Sequence, residues 1–101
     1  TQVFTLPAVP QGRTHCYYRF VVRLPKGLQS PDELASLLSR IEHRGVQCRK
    51  PVFRPLHRYL DLPDFPASEE ADRTAVSLPI HPSMTEQDVA QVAHALNEEL
   101  R

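Results

Sequence analysis

The 101 residues carry 12 basic and 12 acidic side chains. The formal charge at pH 7 is therefore zero, which removes any global argument for nucleic acid or an anionic membrane as partner. A chain this long forms one domain at most, its 41% hydrophobic and 24% charged content is that of an ordinary soluble protein, and no apolar run approaches the ~20 residues needed to cross a bilayer.

The ten prolines cluster at 7–10, 51–55, 63–66 and 79–82, so they mark connections between elements. Residues 1–14 read as an irregular lead-in broken by Pro7, Pro10 and Gly12, with Phe4 and Leu6 able to dock on a neighbour. The opening TQVFTLPAVP has neither a basic n-region nor a long apolar core, which predicts no signal peptide. Residues 16–24, CYYRFVVRL, carry the strongest strand signal. Alternation puts Tyr18, Phe20, Val22 and Leu24 on one face. The opposite face, Tyr17, Arg19, Val21 and Arg23, is half polar, so it should be wet or covered by another part of the protein. Pro25, Lys26 and Gly27 end the strand.

A helix is predicted over 30–44. Ser30 and Glu33 form a capping box, and Pro31 sits at the first helical position. Leu34, Leu37, Leu38 and Ile41 make one apolar stripe, and Gly45 is placed to close the helix. A short strand follows at 46–49, with Val46 and Cys48 facing one way and Gln47 and Arg49 the other. Pro51 and Pro55 forbid a central strand, so 50–58 should be a loop or edge segment. Residues 59–67 read as loop, 68–73 as a short helix, and 75–78 as a third strand with Val76 and Leu78 turned to the core. The last helix covers 85–100, with Thr85 as N-cap and Val89, Val92, Leu96 and Leu100 as its stripe. The pattern predicts an α+β domain: a two-layer sandwich of a small, mostly antiparallel sheet with the long helices on one face.

One segment concentrates charge of a single sign. Arg49, Lys50, Arg54, His57 and Arg58 lie within 45–60 with no acidic residue among them. Guanidinium groups bind phosphates through bidentate, charge-assisted hydrogen bonds, and a proline-stiffened loop would hold them at low entropic cost. The competing reading is a solvated basic loop paired with Asp61, Asp64, Glu69 and Glu70. His57 could serve a substrate hydroxyl or phosphate, or simply pack. The other four histidines lack metal-ligand spacing. There is no glycine-rich phosphate loop, no nucleophile elbow and no cysteine–histidine pair, so no catalytic residue and no metal site is assigned. Cys16 and Cys48 make neither a disulfide framework nor a zinc site, which suits reduced thiols and a cytoplasmic location.

Five ordered motifs carry a resemblance. They are Arg44-Gly45-Val46, Pro55-Leu56-His57, Phe65-Pro66-Ala67-Ser68-Glu69, Ser77-Leu78-Pro79-Ile80-His81-Pro82 and Met84-Thr85. Together with the aromatic strand they resemble the C-terminal domain of the DegT/StrS-type aminotransferases, fold-type I enzymes that use pyridoxal phosphate and mostly aminate nucleotide-linked keto-sugars. The resemblance covers most of residues 17–100, and 15–101 would be that domain. Many members carry a His-Tyr pair where this sequence has Pro51-Val52, so no role passes to that position. The large cofactor-binding domain has no counterpart here, and neither Lys26 nor Lys50 sits in the context of the family's cofactor-anchoring lysine.

The resemblance implies a domain that is inert alone and carries no cofactor by itself. It would pack on the large pyridoxal-phosphate-binding domain within a homodimer and line a cleft for a nucleotide-sugar. Arg49, Lys50, Arg54 and His57 would face that substrate, a phosphate or the partner subunit. The alternative is a free-standing α+β binding module that uses the basic loop 49–58 for an anionic ligand or a protein partner.

Overall fold

The computed structural model describes residues 4–24 and 31–100. The expected turn at 25–27 and the Ser30 capping box lie outside the described residues. The elements are β1 (Phe20–Arg23), α1 (Pro31–His43), α2 (Leu56–Tyr59), α3 (Pro66–Thr74), β2 (Ala75–Leu78) and α4 (Glu86–Glu99). The expected α+β class holds.

β1 and β2 pair antiparallel, with Phe20 opposite Leu78, Val21 opposite Ser77, Val22 opposite Val76 and Arg23 opposite Ala75. Each edge of this ribbon carries one further bridge. Thr5 exchanges two backbone hydrogen bonds with Arg23, at 2.7 and 2.9 Å, and Arg49 exchanges two with Ser77, at 3.1 and 2.7 Å. The expected third strand at 46–49 is thus reduced to a single bridge. Its alternation is kept, because Val46 and Cys48 are buried while Gln47 and Arg49 are exposed. Pro51, with no N–H to donate, stops the pairing two residues later.

The strand expected from residue 16 begins at Phe20. Tyr17 takes φ +50°, a left-handed conformation that no strand can contain, and its N–H donates to Nδ1 of His15 at 2.8 Å. Tyr18 therefore leaves the core face and is 80% exposed, whereas Val22 and Leu24 are buried and Phe20 packs at the margin.

The core joins Val22 and Val76 of the sheet to Leu34, Leu37 and Ile41 of α1, Ala95 and Leu96 of α4, and Val46 and Cys48 beyond α1. Gly45, at φ +89°, closes α1 in a Schellman motif. Its N–H donates to the Glu42 carbonyl at 2.8 Å, and that of Val46 donates to the Ile41 carbonyl at 3.4 Å. Thr85 and Asp88 form a reciprocal capping box at the start of α4. Along α4 the buried residues are Ala95 and Leu96, and Val89 is exposed, so the stripe is narrower than the sequence predicts. The short helix starts at Pro66 rather than Ser68 and runs directly into β2, and 56–59 is one helical turn rather than loop.

Candidate functional site

The basic segment splits into an anchored half and an outward half. α3 carries Glu69 and Asp72 three residues apart, a spacing that places both carboxylates on one side of a helix. Lys50 Nζ lies 2.8 Å from Asp72 Oδ1, and Arg58 Nη2 lies 3.1 Å from Asp72 Oδ2. Arg58 Nε donates to Glu69 Oε1 at 2.9 Å, and Nη2 closes a bidentate fork on Oε2. His57 Nε2 sits 2.7 Å from Glu69 Oε1. The imidazole is buried and stacks on Phe65 with ring centroids 5.1 Å apart. The Arg58 hydrogen bonds, then the one from His57, hold the Glu69 carboxyl down to about 2. The same fork raises Arg58 above its ordinary value. These contacts staple residues 50–58 onto α3 and bring Pro51 and Pro55 beside the buried Ala75 at the start of β2.

The outward half is Arg49 and Arg54. The Arg54 guanidinium lies 5.2 Å from the centre of the exposed Tyr59 ring. Arg49, fixed at its backbone by Ser77, lines a polar cavity of about 670 Å³ between the 77–84 segment and α4. Arg19, whose guanidinium rests 5.3 Å over the Tyr18 ring, lines the same cavity, as do Gln47, His81 and Asp88. Asp88 is already committed, since one carboxylate oxygen accepts from the Thr85 N–H at 2.9 Å. Among the described residues Arg19, Arg49 and Arg54 make no ion pair.

Of the four site residues expected from the sequence, Arg49 and Arg54 present free cations, while Lys50 and His57 are held by α3. The four do not converge on one point: Arg49 faces the cavity, and Arg54 lies outside it. The acid partner expected at Glu69 is present, whereas Asp61 and Asp64 take left-handed turn conformations and make no ion pair among the described residues. Asp72 and Arg19 were not singled out by the sequence. Three-residue spacing from Glu69 was the available signal for Asp72. Arg19 had none, because its position depends on the chain turning at Tyr17. Cys48 is buried and its thiol is pushed up to about 11 by desolvation, so it remains a neutral core group, while Cys16 is exposed. Among the described residues no group of three or more histidines, cysteines or acids could hold a metal, and no helix is long and apolar enough to cross a membrane.

Comparison with known proteins gives one consistent result. A family model described as the DegT/DnrJ/EryC1/StrS aminotransferase family matches residues 1–97. A curated relative, GDP-perosamine synthase of Caulobacter vibrioides, is 29% identical over 95% of this chain and 26% of its own length. The crystal structure of the aminotransferase TlmJ from Streptoalloteichus hindustanus superposes with a TM-score of 0.76 at 27% identity, over 97% of this chain and 26% of that one. A DegT/DnrJ/EryC1/StrS aminotransferase from Brucella abortus gives a TM-score of 0.77 at 20% identity, again over 97% and 26%, a likeness of fold. The chain spans about a quarter of the length of the relatives it matches.

Proposed function

The chain belongs to the DegT/DnrJ/EryC1/StrS aminotransferase family, and on that premise we propose that it is the small C-terminal domain of a cytoplasmic enzyme that transfers an amino group to a nucleotide-linked keto-sugar. Aminotransferases of this family depend in general on pyridoxal phosphate. The observation that carries the reading is the family match over nearly the whole chain, and the name of the Caulobacter relative supports the sugar class.

The cofactor finds no seat among the described residues. Lys50, the one described lysine, has its amine against Asp72 at 2.8 Å, and no glycine-rich cradle is present. In this reading pyridoxal phosphate is held by a large domain, and the enzyme works as a homodimer. The apolar surface supports such a partner. Phe53 is 91% exposed and Leu56 74%, and Val52, Tyr59 and Leu60 lie beside them in sequence, all exposed. Monomeric proteins seldom leave so many large apolar side chains wet on one short segment. In this arrangement Arg49 and Arg54 face substrate or partner, and Lys50 and His57 hold the segment that presents them.

The test is to express the polypeptide from the start of its reading frame. Uptake of pyridoxal phosphate and amino transfer to a nucleotide-linked keto-sugar are expected. A full-length product that takes up no cofactor would overturn the reading. A 101-residue chain that stays monomeric and captures an anionic ligand or a protein partner through the 49–58 loop would instead favour the binding module.

A further inference from the structure

We propose that the apolar groove along α4 is the seat of the polypeptide segment directly upstream of Thr1, which lays an apolar face into it in the whole enzyme. The inference rests on the reading of this chain as one part of a longer aminotransferase, and adds to that reading a specific contact.

The groove is apolar and open. It has a volume of about 600 Å³ and lies between the margin of the β1–β2 ribbon, at Phe20 and Leu78, and one side of α4. Asn97 is the one polar side chain in its lining. Val89 on α4 is 56% exposed, and Ile80, also in the lining, 43%. The buried residues of α4 are Ala95 and Leu96, so its hydrophobic stripe runs on for two turns past the part that this domain covers. A helix carries such a stripe to pack it against something, and a continuous apolar surface of this kind marks a contact site.

Two observations select the occupant. The shared span is 26% of the length of both the Caulobacter relative and TlmJ, and the reading of this chain as a C-terminal domain puts the remainder upstream. Phe4 and Leu6 already lie in the lining of the groove. Thr5, between them, exchanges two backbone hydrogen bonds with Arg23, which pins the lead-in to the sheet edge at the groove's wall. Side chains two apart on an extended segment share a face, so Phe4 and Leu6 turn the same way. A segment upstream of Thr1 is thus tethered within a few residues of the groove. So short a tether gives an effective concentration in the millimolar range. A second copy, or a detached partner, must bind from dilute solution and is outcompeted.

The experiment places a photoreactive side chain, Val89→benzoylphenylalanine, in the full-length polypeptide and identifies crosslinked peptides by mass spectrometry. Crosslinks are expected within about 30 residues upstream of Thr1, because a helix crossing the 43 Å long axis of the domain takes about that many residues. The same group at Gln87, exposed and outside the lining, should give little of this product. Val89→Asp puts a charge in the groove and should speed proteolysis of the upstream segment about tenfold or more, whereas Gln87→Asp should stay within about twofold. Cofactor uptake, measured on the same protein, reads the aminotransferase assignment separately: the crosslink without uptake supports the groove contact and overturns that assignment. Crosslinks from position 89 that fall only in remote parts of the polypeptide or in a second copy, no crosslink at all, or equal effects at 89 and 87, overturn the proposal.

Discussion

Leu96→Ala and Val89→Ala separate two accounts of how α4 is held. The hydrophobic pattern places both residues on one stripe, but Leu96 is 1% exposed and Val89 56%. Truncating a buried leucine removes its transfer free energy and leaves unfilled space, at a cost of about 3–5 kcal/mol. Leu96 borders the open apolar groove next to Phe20 and Val92, so water reaches part of the space and the cost should fall at the low end, about 3 kcal/mol. A domain of this length is stabilised by about 5–15 kcal/mol, so Leu96→Ala removes a large share. The melting temperature should drop by roughly 12–24 °C. Val89→Ala trades an exposed β-branched residue for the best helix former and should stay within about 0.5 kcal/mol of the parent. Urea unfolding followed by circular dichroism measures both. A Leu96→Ala cost below about 1 kcal/mol, or equal costs for the two variants, would refute the packing described.

Four further outcomes follow from particular contacts. Glu69 ionises at about 2 in the fold against an ordinary 4.5, so its contribution is present above about pH 4.5 and lost as pH falls toward 2. Urea midpoints of the parent and of Glu69→Gln should therefore converge across that window, and a gap that stays constant would refute the pairing. Cys16 should react with a maleimide in the native state and Cys48 only after unfolding, since Cys48 is buried and its thiol titrates near 11; mass spectrometry of labelled peptides reads this, and equal labelling rates would contradict it. Gly45→Ala places a side chain at φ +89°, with its Cβ 3.2 Å from Nε2 of Gln91, and should cost about 1 kcal/mol or slightly more in thermal unfolding. Thr85→Ala removes the hydroxyl that accepts from the Asp88 N–H and should cost about 1 kcal/mol, with the loss visible as faster amide exchange in the first turn of α4.

The features legible in the sequence are those encoded locally. The stripe of α1, its glycine closure, the Thr85 cap and the limits of β2 each depend on residues within one turn or one strand, and each is found where the pattern puts it. The aminotransferase likeness was legible for a related reason: its five short motifs are each a run of neighbouring residues, read in order along the chain. Features that depend on remote contacts were not legible. CYYRFVVRL scores as a long strand because β propensity does not register that Tyr17 turns left-handed to meet His15. The partner of His57 lies 12 residues away on a helix whose start was placed two residues late. Arg19 reaches the cavity because the strand begins late, after the turn at Tyr17, and nothing in its neighbours announces that.

The division of the basic segment into two roles has a geometric cause. Arg49 is the last residue to pair with β2 before Pro51 ends the ladder, so its backbone is fixed at the sheet edge. Successive side chains on an extended segment point to opposite sides, so if Arg49 faces the cavity, Lys50 must face away from it. On that other side α3 offers Asp72, whose side chain is 6% exposed and would be costly to leave without a cation. Lys50 and Arg58 meet that need from the two ends of the loop, which draws Pro51 and Pro55 over Ala75 and turns Phe53 and Leu56 out to solvent. Asp72 thus decides that Lys50 rather than Arg49 is spent on the fold, while Glu69 takes His57 and shares Arg58 with it, and a one-residue shift in the Arg49–Ser77 register would exchange the roles of Arg49 and Lys50.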